Sequence, residues 1–210
     1  MNLSPSRLGN SNSSLVLDAS VLLNLLGTGS PEVLLRNLGR ACIIDEVAIS
    51  EVHIHPITGS PCDELLKFLQ TEELLRVVQM ETVVYEHFIS LTGASPPDDL
   101  DDGEAATIAQ AYFNGWTAVL DERKATRIAM VCLPETQVLT SVDLLSAPKL
   151  SAALGEAKVA DLLYFALRNA RMRIPPRARS WVIETLGVGR VADCPSFGLA
   201  RANLRTTGSK

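Results

Sequence analysis

The sequence predicts an α/β protein in which a mainly parallel sheet is interleaved with helices and followed by a helical C-terminal extension. Three observations carry this reading. From Leu15 to about Thr140, short apolar runs alternate with longer segments of helical period. The runs are apolar throughout rather than at every second position, as strands buried on both faces are. After Thr140 the strand-like runs stop and helical period alone continues.

Taken in order, residues 1–14 read as a flexible lead, Ser- and Asn-rich from 9 to 14. LVL at 15–17 is the first strand, followed by helices at 19–26 and 31–38, with Pro31 suited to a first helical turn. ACII at 41–44 is the second strand, followed by helices at 45–53 and 62–71. LLRVVQM at 74–80 suits a fifth strand at a sheet edge. Helices at 82–91, with Gly93 past the end, and at 102–113 lead to the strand TAVL at 117–120. A helix at 123–131 then leads to QVLT at 137–140. Further helices are expected at 142–154, 158–171 and 177–186, with Pro175 and Pro176 forcing a break. The reading divides the chain into an α/β domain over 15–145, a helical extension over 146–193 packed on it, and a mixed, frayed tail over 194–210.

Composition bounds the function. The chain of 210 residues has a formal net charge of -5, which argues weakly against a protein that simply coats nucleic acid. That average hides an asymmetry: residues 1–164 hold 22 acids and 10 bases, a net of -12, and residues 165–210 hold 2 acids and 9 bases, a net of +7. At 47% hydrophobic residues the chain can build a core. No apolar run approaches the roughly 18 residues needed to cross a bilayer, and the start lacks a secretory apolar stretch, so a cytoplasmic location away from membranes is expected. Cysteines 42, 62, 132 and 194 are too sparse for a disulfide framework or structural zinc and read as reduced thiols.

The chemistry concentrates in four acids. In an open parallel sheet, ligands bind beyond the C-terminal ends of the strands. Asp18 directly follows LVL and Asp121 directly follows TAVL, so both carboxylates should emerge on one sheet edge. Glu51, in the helix after ACII, and Glu104, in the first turn of the helix before TAVL, should face that edge too. Gathered carboxylates repel one another, and a hard divalent cation such as Mg²⁺ or Mn²⁺ relieves the repulsion. Each acid also has a structural reading: Asp18 and Asp121 as helix caps, Asp101-x-x-Glu104 as a capping box, Glu51 as a solvated helix position.

The segments LDASVLLNLL around Asp18, IIDEVAISEV ending at Glu51 and Val52, LDDGEAATIAQA with Glu104, and VLDERKATRIA with Asp121 resemble the PIN-domain nucleases, especially their bacterial VapC-like toxin branch. The match in order and setting runs from about Leu15 to Thr140; Asp45 and Glu46 stand near Glu51, which is favoured by spacing. The resemblance implies a three-layer α/β/α fold and a metal-dependent endoribonuclease that holds Mg²⁺ or Mn²⁺ on Asp18, Glu51, Glu104 and Asp121. Ser20 stands where the family places a small polar residue, able to orient Asp18 or a water. A toxin role would add a small antitoxin protein as partner, and a homodimer is compatible with it. Two alternatives stay open: a non-catalytic module that acts through protein partners, and a DNA-directed nuclease.

Cations follow the acids. Arg123, Lys124 and Arg127 come just after Asp121, with Arg123 and Arg127 on one helix face, and either contact substrate phosphates or pair with Glu122 and the acids at 98–104. Arg168, Arg171, Arg173, Arg177 and Arg179 crowd a helix break without an intervening acid and can hold a polyanion, whether substrate backbone or an acidic partner. Asp102 is an aid to Glu104 and Asp143 a reserve acid for the pocket rim. His53 and His55 read as a surface loop, and Trp116 and Trp181 as core.

Overall fold

A computed structural model describes residues 13–93, 95, 98–135 and 137–197; most of the expected lead and the tail from 198 lie outside them. Four strands, β1 (Leu15–Leu17), β2 (Cys42–Asp45), β3 (Arg76–Val78) and β4 (Thr117–Val119), form one sheet in the order β3-β2-β1-β4. All three pairings are parallel, as the uninterrupted apolar runs predict.

Eleven α-helices are described, besides two short 3-10 helices at Pro176–Ala178 and Pro195–Phe197: α1 (Ala19–Gly27), α2 (Pro31–Leu38), α3 (Glu46–Ile49), α4 (Asp63–Thr71), α5 (Thr82–Thr92), α6 (Asp102–Asn114), α7 (Arg123–Cys132), α8 (Ser141–Leu145), α9 (Pro148–Leu154), α10 (Glu156–Asn169) and α11 (Arg179–Ala192). Strand pleat sorts the core into two layers. Leu15, Leu17, Ile44 and Val119 face a cluster built from α1, α2, α4 and the helices after residue 140, whereas Val16, Ala118 and Leu120 face one built from α5, α6 and α7. The sheet is the middle of three layers. The helices after residue 140 are not a satellite: Leu163, Leu167 and Val182 are fully buried in the same cluster as Leu22 and Leu25 of α1.

Several elements depart from expectation. Residues 137–140 form no strand and touch the sheet through an isolated parallel bridge of Leu139 to Val119. The chain cannot continue the ladder there, because the Asp143 carboxylate takes both the amide and the hydroxyl of Thr140, at 2.8 and 2.7 Å, and turns it into α8. The edge strand expected over 74–80 keeps three residues. The helix expected over 45–53 is the single turn α3, and His53 and His55 follow it in a surface loop. The helix expected over 142–154 divides into α8 and α9, the latter opened by Pro148. Helix α11 runs on to Ala192 across a break at Gly187, whose φ of 72° suits glycine. No described helix is long and apolar enough to cross a membrane, and all four cysteines are free.

Candidate active site

Sheet register brings the first two acids together. Leu17 pairs with Val119, so the chain leaves β1 through Asp18 and leaves β4 through Leu120 and Asp121 on the same edge. Asp18 caps α1, accepting the Ser20 amide at 3.1 Å and a very short bond from the Ser20 hydroxyl. Asp121 does not cap α7, whose cap position is Glu122. Its carboxylate turns inward and accepts the Ser141 amide at 2.8 Å, the Ser141 hydroxyl at 2.5 Å and the Asn24 amide group at 2.6 Å.

The other two acids arrive through α6. Asp101 and Glu104 form the expected capping box, with Glu104 N donating to Asp101 Oδ1 at 2.8 Å. Glu51 reaches the same helix end from the turn after α3. A Cβ on Gly103 would stand only 2.7 Å from Glu51 Oε1, so glycine makes room for this carboxylate. The positive N-terminal ends of α1 and α6 favour negative groups at both places.

Asp18, Glu51, Glu104 and Asp121 line one cavity of about 730 Å³, together with Asp101 and Ser20. Burial pushes Glu104 up to about 7, aided by Asp101, and pushes Asp121 up to about 6 against the hydrogen bonds from Ser141 and Asn24. Asp18 is raised by burial, with Ser20 opposing. Glu51 is raised by burial and then by Asp101 and Asp18, the Gly103 amide opposing. Each of the four is therefore disfavoured as a bare anion. Among the described residues, no three acids, histidines or cysteines are disposed to enclose an ion as they stand.

Neighbouring acids have other work. Asp45 is fully buried and accepts the Val47 amide and the Gln110 amide group at 2.9 and 2.7 Å, and Glu46 accepts from Gln79. Asp143, the reserve candidate, is fully buried, holds Thr140 and is ion-paired with Arg177 at 2.5 Å, away from the cavity. Asp101 lines the cavity where Asp102 was expected to help.

Of the three cations after Asp121, Lys124 and Arg127 pair with Asp99 and Asp98, at 3.8 and 2.5 Å, while Arg123 has no ion pair among the described residues. Lys124 still lines the cavity. In the tail, Arg171 and Arg173 form part of the cavity rim, and Arg173 is ion-paired with Glu122. Arg168 and Arg179 lie over the rings of Tyr164 and Phe197. This rim is seated on α1: the Asn169 amide group donates to Gly27 O at 2.9 Å, and a Cβ on Gly27 would stand 2.7 Å from that of Ala170.

Sequence reasoning missed Asn24 and Ser141. Asn24 is a buried polar residue on an otherwise leucine-rich stretch of α1, and Ser141 follows the apolar run at 137–140 on the sheet edge that carries the acids. Both signals are visible once a buried carboxylate is asked for its donors.

A family model, DUF3368, described as a PIN domain, matches residues 14–187. The match extends well past Thr140, where the motif resemblance ends. No curated protein and no solved structure matched the chain.

Proposed function

The chain belongs to the PIN-domain family, whose fold is of nuclease type, and from that premise we propose a divalent-metal-dependent phosphodiesterase that cuts within RNA strands, with Asp18, Glu51, Glu104 and Asp121 as its metal-binding acids. The observation that carries the proposal is the convergence of these carboxylates, from four separate segments, on one cavity that raises the pKa of each.

The donor set fits Mg²⁺ or Mn²⁺. It is all oxygen, which suits hard cations, and Mg²⁺ commonly keeps several waters while using only one or two carboxylates, so no closed shell of protein ligands is required. When bound, such an ion supplies charge neutralisation and water activation for phosphodiester hydrolysis. The chain's own residues do the positioning. Ser20 fixes the rotamer of Asp18, while Ser141 and Asn24 hold Asp121 with three donors and so keep it oriented for a cation. Glu104 can hold a proton near neutral pH and release it when a cation arrives. A toxin role with a small antitoxin partner belongs to the same proposal; a short reading frame immediately upstream that encodes a DNA-binding protein would support it, and an isolated gene would weaken it.

The test is incubation of the purified protein with structured RNA, single-stranded DNA and duplex DNA, each with Mg²⁺, Mn²⁺ or EDTA, beside Asp18→Asn and Asp121→Asn. RNA cleavage that needs the ion and is lost in both folded variants is expected. Full metal-dependent activity in both variants sinks the assignment of the acids.

A further inference from the structure

We propose that Asp45 and Gln110 are positioning residues for Glu51: their buried hydrogen bond fixes α3 against α6 and so delivers the Glu51 carboxylate to the acid cavity. The proposal rests on the reading above that Glu51 is a metal-binding acid, and adds to it the device that places that acid.

Two contacts join the segment 45–51 to α6, on which α3 packs. At the start of the segment, Asp45, the last residue of β2, accepts the Val47 amide on Oδ1 at 2.9 Å and the side-chain amide of Gln110 on Oδ2 at 2.7 Å. At its end, Glu51 meets Gly103, where a Cβ would crowd the carboxylate. Between the two contacts the chain is one compact run: α3 occupies Glu46–Ile49, and the amides of Ser50, Glu51 and Val52 donate to the carbonyls of Glu46, Ala48 and Ile49. Gly103 and Gln110 are seven positions apart in α6, which is about two turns and roughly 10 Å, so they share one face of the helix. A turn that slid along that face would lift Glu51 away from Gly103. The bond from Gln110 to Asp45 stops it sliding.

The joint exceeds what a helix cap needs. One side-chain oxygen caps α3, and serine or asparagine would supply it without burying a carboxyl group. Asp45 and Gln110 are both buried, and Asp45 has no ion pair among the described residues, so its second oxygen depends on Gln110. Gln110 is itself held on both sides: Oε1 accepts from Asn114 at 3.0 Å, and Nε2 also donates to Gln79 O, just past β3, at 3.3 Å. Neither Asp45 nor Gln110 lines the acid cavity, so any effect of the pair on a bound cation runs through the acid that it places.

The test is Mn²⁺ titration of the full chain, followed by electron paramagnetic resonance, on variants whose folding circular dichroism confirms. Gln110→Met keeps an unbranched side chain and loses the donor. Asp45→Ser keeps the cap of α3 and falls short of Gln110, whereas Asp45→Asn keeps both, its amide donating to Gln110 Oε1 once that group turns over. Gln110→Met and Asp45→Ser should each weaken Mn²⁺ binding about tenfold, and Asp45→Asn by no more than about threefold. A cap alone would make the two Asp45 variants alike. Added to Glu51→Gln, Gln110→Met should cause no further loss, because its effect runs through that carboxylate. Unchanged affinity in Gln110→Met, equal affinities in Asp45→Ser and Asp45→Asn, or a further loss of about tenfold on top of Glu51→Gln would overturn the positioning role. Weakened binding in Glu51→Gln itself then leaves Glu51 standing as a ligand. Natural affinity in Glu51→Gln removes Glu51 from the ligand set and the positioning role with it.

Discussion

Asn24 Nδ2 donates to Asp121 Oδ2 at 2.6 Å, tying the middle of α1 to the end of β4 across 97 positions of sequence. The same nitrogen lies 3.3 Å from Ser141 Oγ, which also donates to Asp121. Helix α1 therefore does two things for the site: its first turn holds Asp18 and its second holds Asp121.

Asn24→Leu keeps the branching and number of side-chain heavy atoms and removes the donor. The leucines around it should preserve the fold, but ionised Asp121 loses one of its supports. A stability loss of about 1–3 kcal/mol is expected where Asp121 is charged, shrinking where it is protonated. Cleavage should fall about 10–100-fold, as for other residues that orient metal ligands. Thermal unfolding at about pH 8 and about pH 5, with kcat/KM, checks both parts.

Without metal, stability should fall as pH rises. Glu104 goes from an ordinary 4.5 to about 7 and Asp121 from 3.8 to about 6, so between those limits the folded state binds more protons than the unfolded one. The contribution is fully present below the unfolded values and is lost as pH rises through the folded ones. With saturating Mg²⁺ the trend should flatten or reverse, because the ion binds deprotonated carboxylates. Melting curves from about pH 4 to about pH 8, with Mg²⁺ or EDTA, measure it; an EDTA curve that rises through pH 6 to 7 contradicts the burial of these acids.

Gly103→Ala tests Glu51 separately. The new methyl group would meet the far end of a flexible side chain, so Glu51 swings away at little cost to the fold. Alanine also favours the helix by up to about 1 kcal/mol. Stability unchanged or slightly raised, with metal affinity lowered about tenfold, is expected from calorimetric titration. Unaltered affinity would remove Glu51 from the ligand set.

Much of this was legible in the sequence. Full-length apolar runs predict the parallel sheet, and Asp18 and Asp121 directly after two of them predict the shared edge, because register leaves a strand end little freedom. What failed was local competition for backbone groups. Residues 137–140 read as a strand, but Asp143 takes the Thr140 amide, a side-chain choice that no periodicity reveals. The donors to Asp121 were hidden for a related reason: Asn24 and Ser141 are distant in sequence and carry no charge. The charge asymmetry also changes meaning. Arg173, Arg177 and Arg190 pair with Glu122, Asp143 and Asp161, so part of the basic tail neutralises the acidic body, and Arg171 is what remains at the cavity rim.

The central claim is that these four carboxylates hold a divalent cation. Its most direct test is Mn²⁺ titration followed by electron paramagnetic resonance of the full chain at about pH 8, beside Asp18→Asn and Asp121→Asn. Saturable loss of the free Mn²⁺ signal in the natural protein, weakened at least tenfold in each folded variant, is predicted. Binding that is equal in all three proteins, or absent from the natural one, contradicts the account.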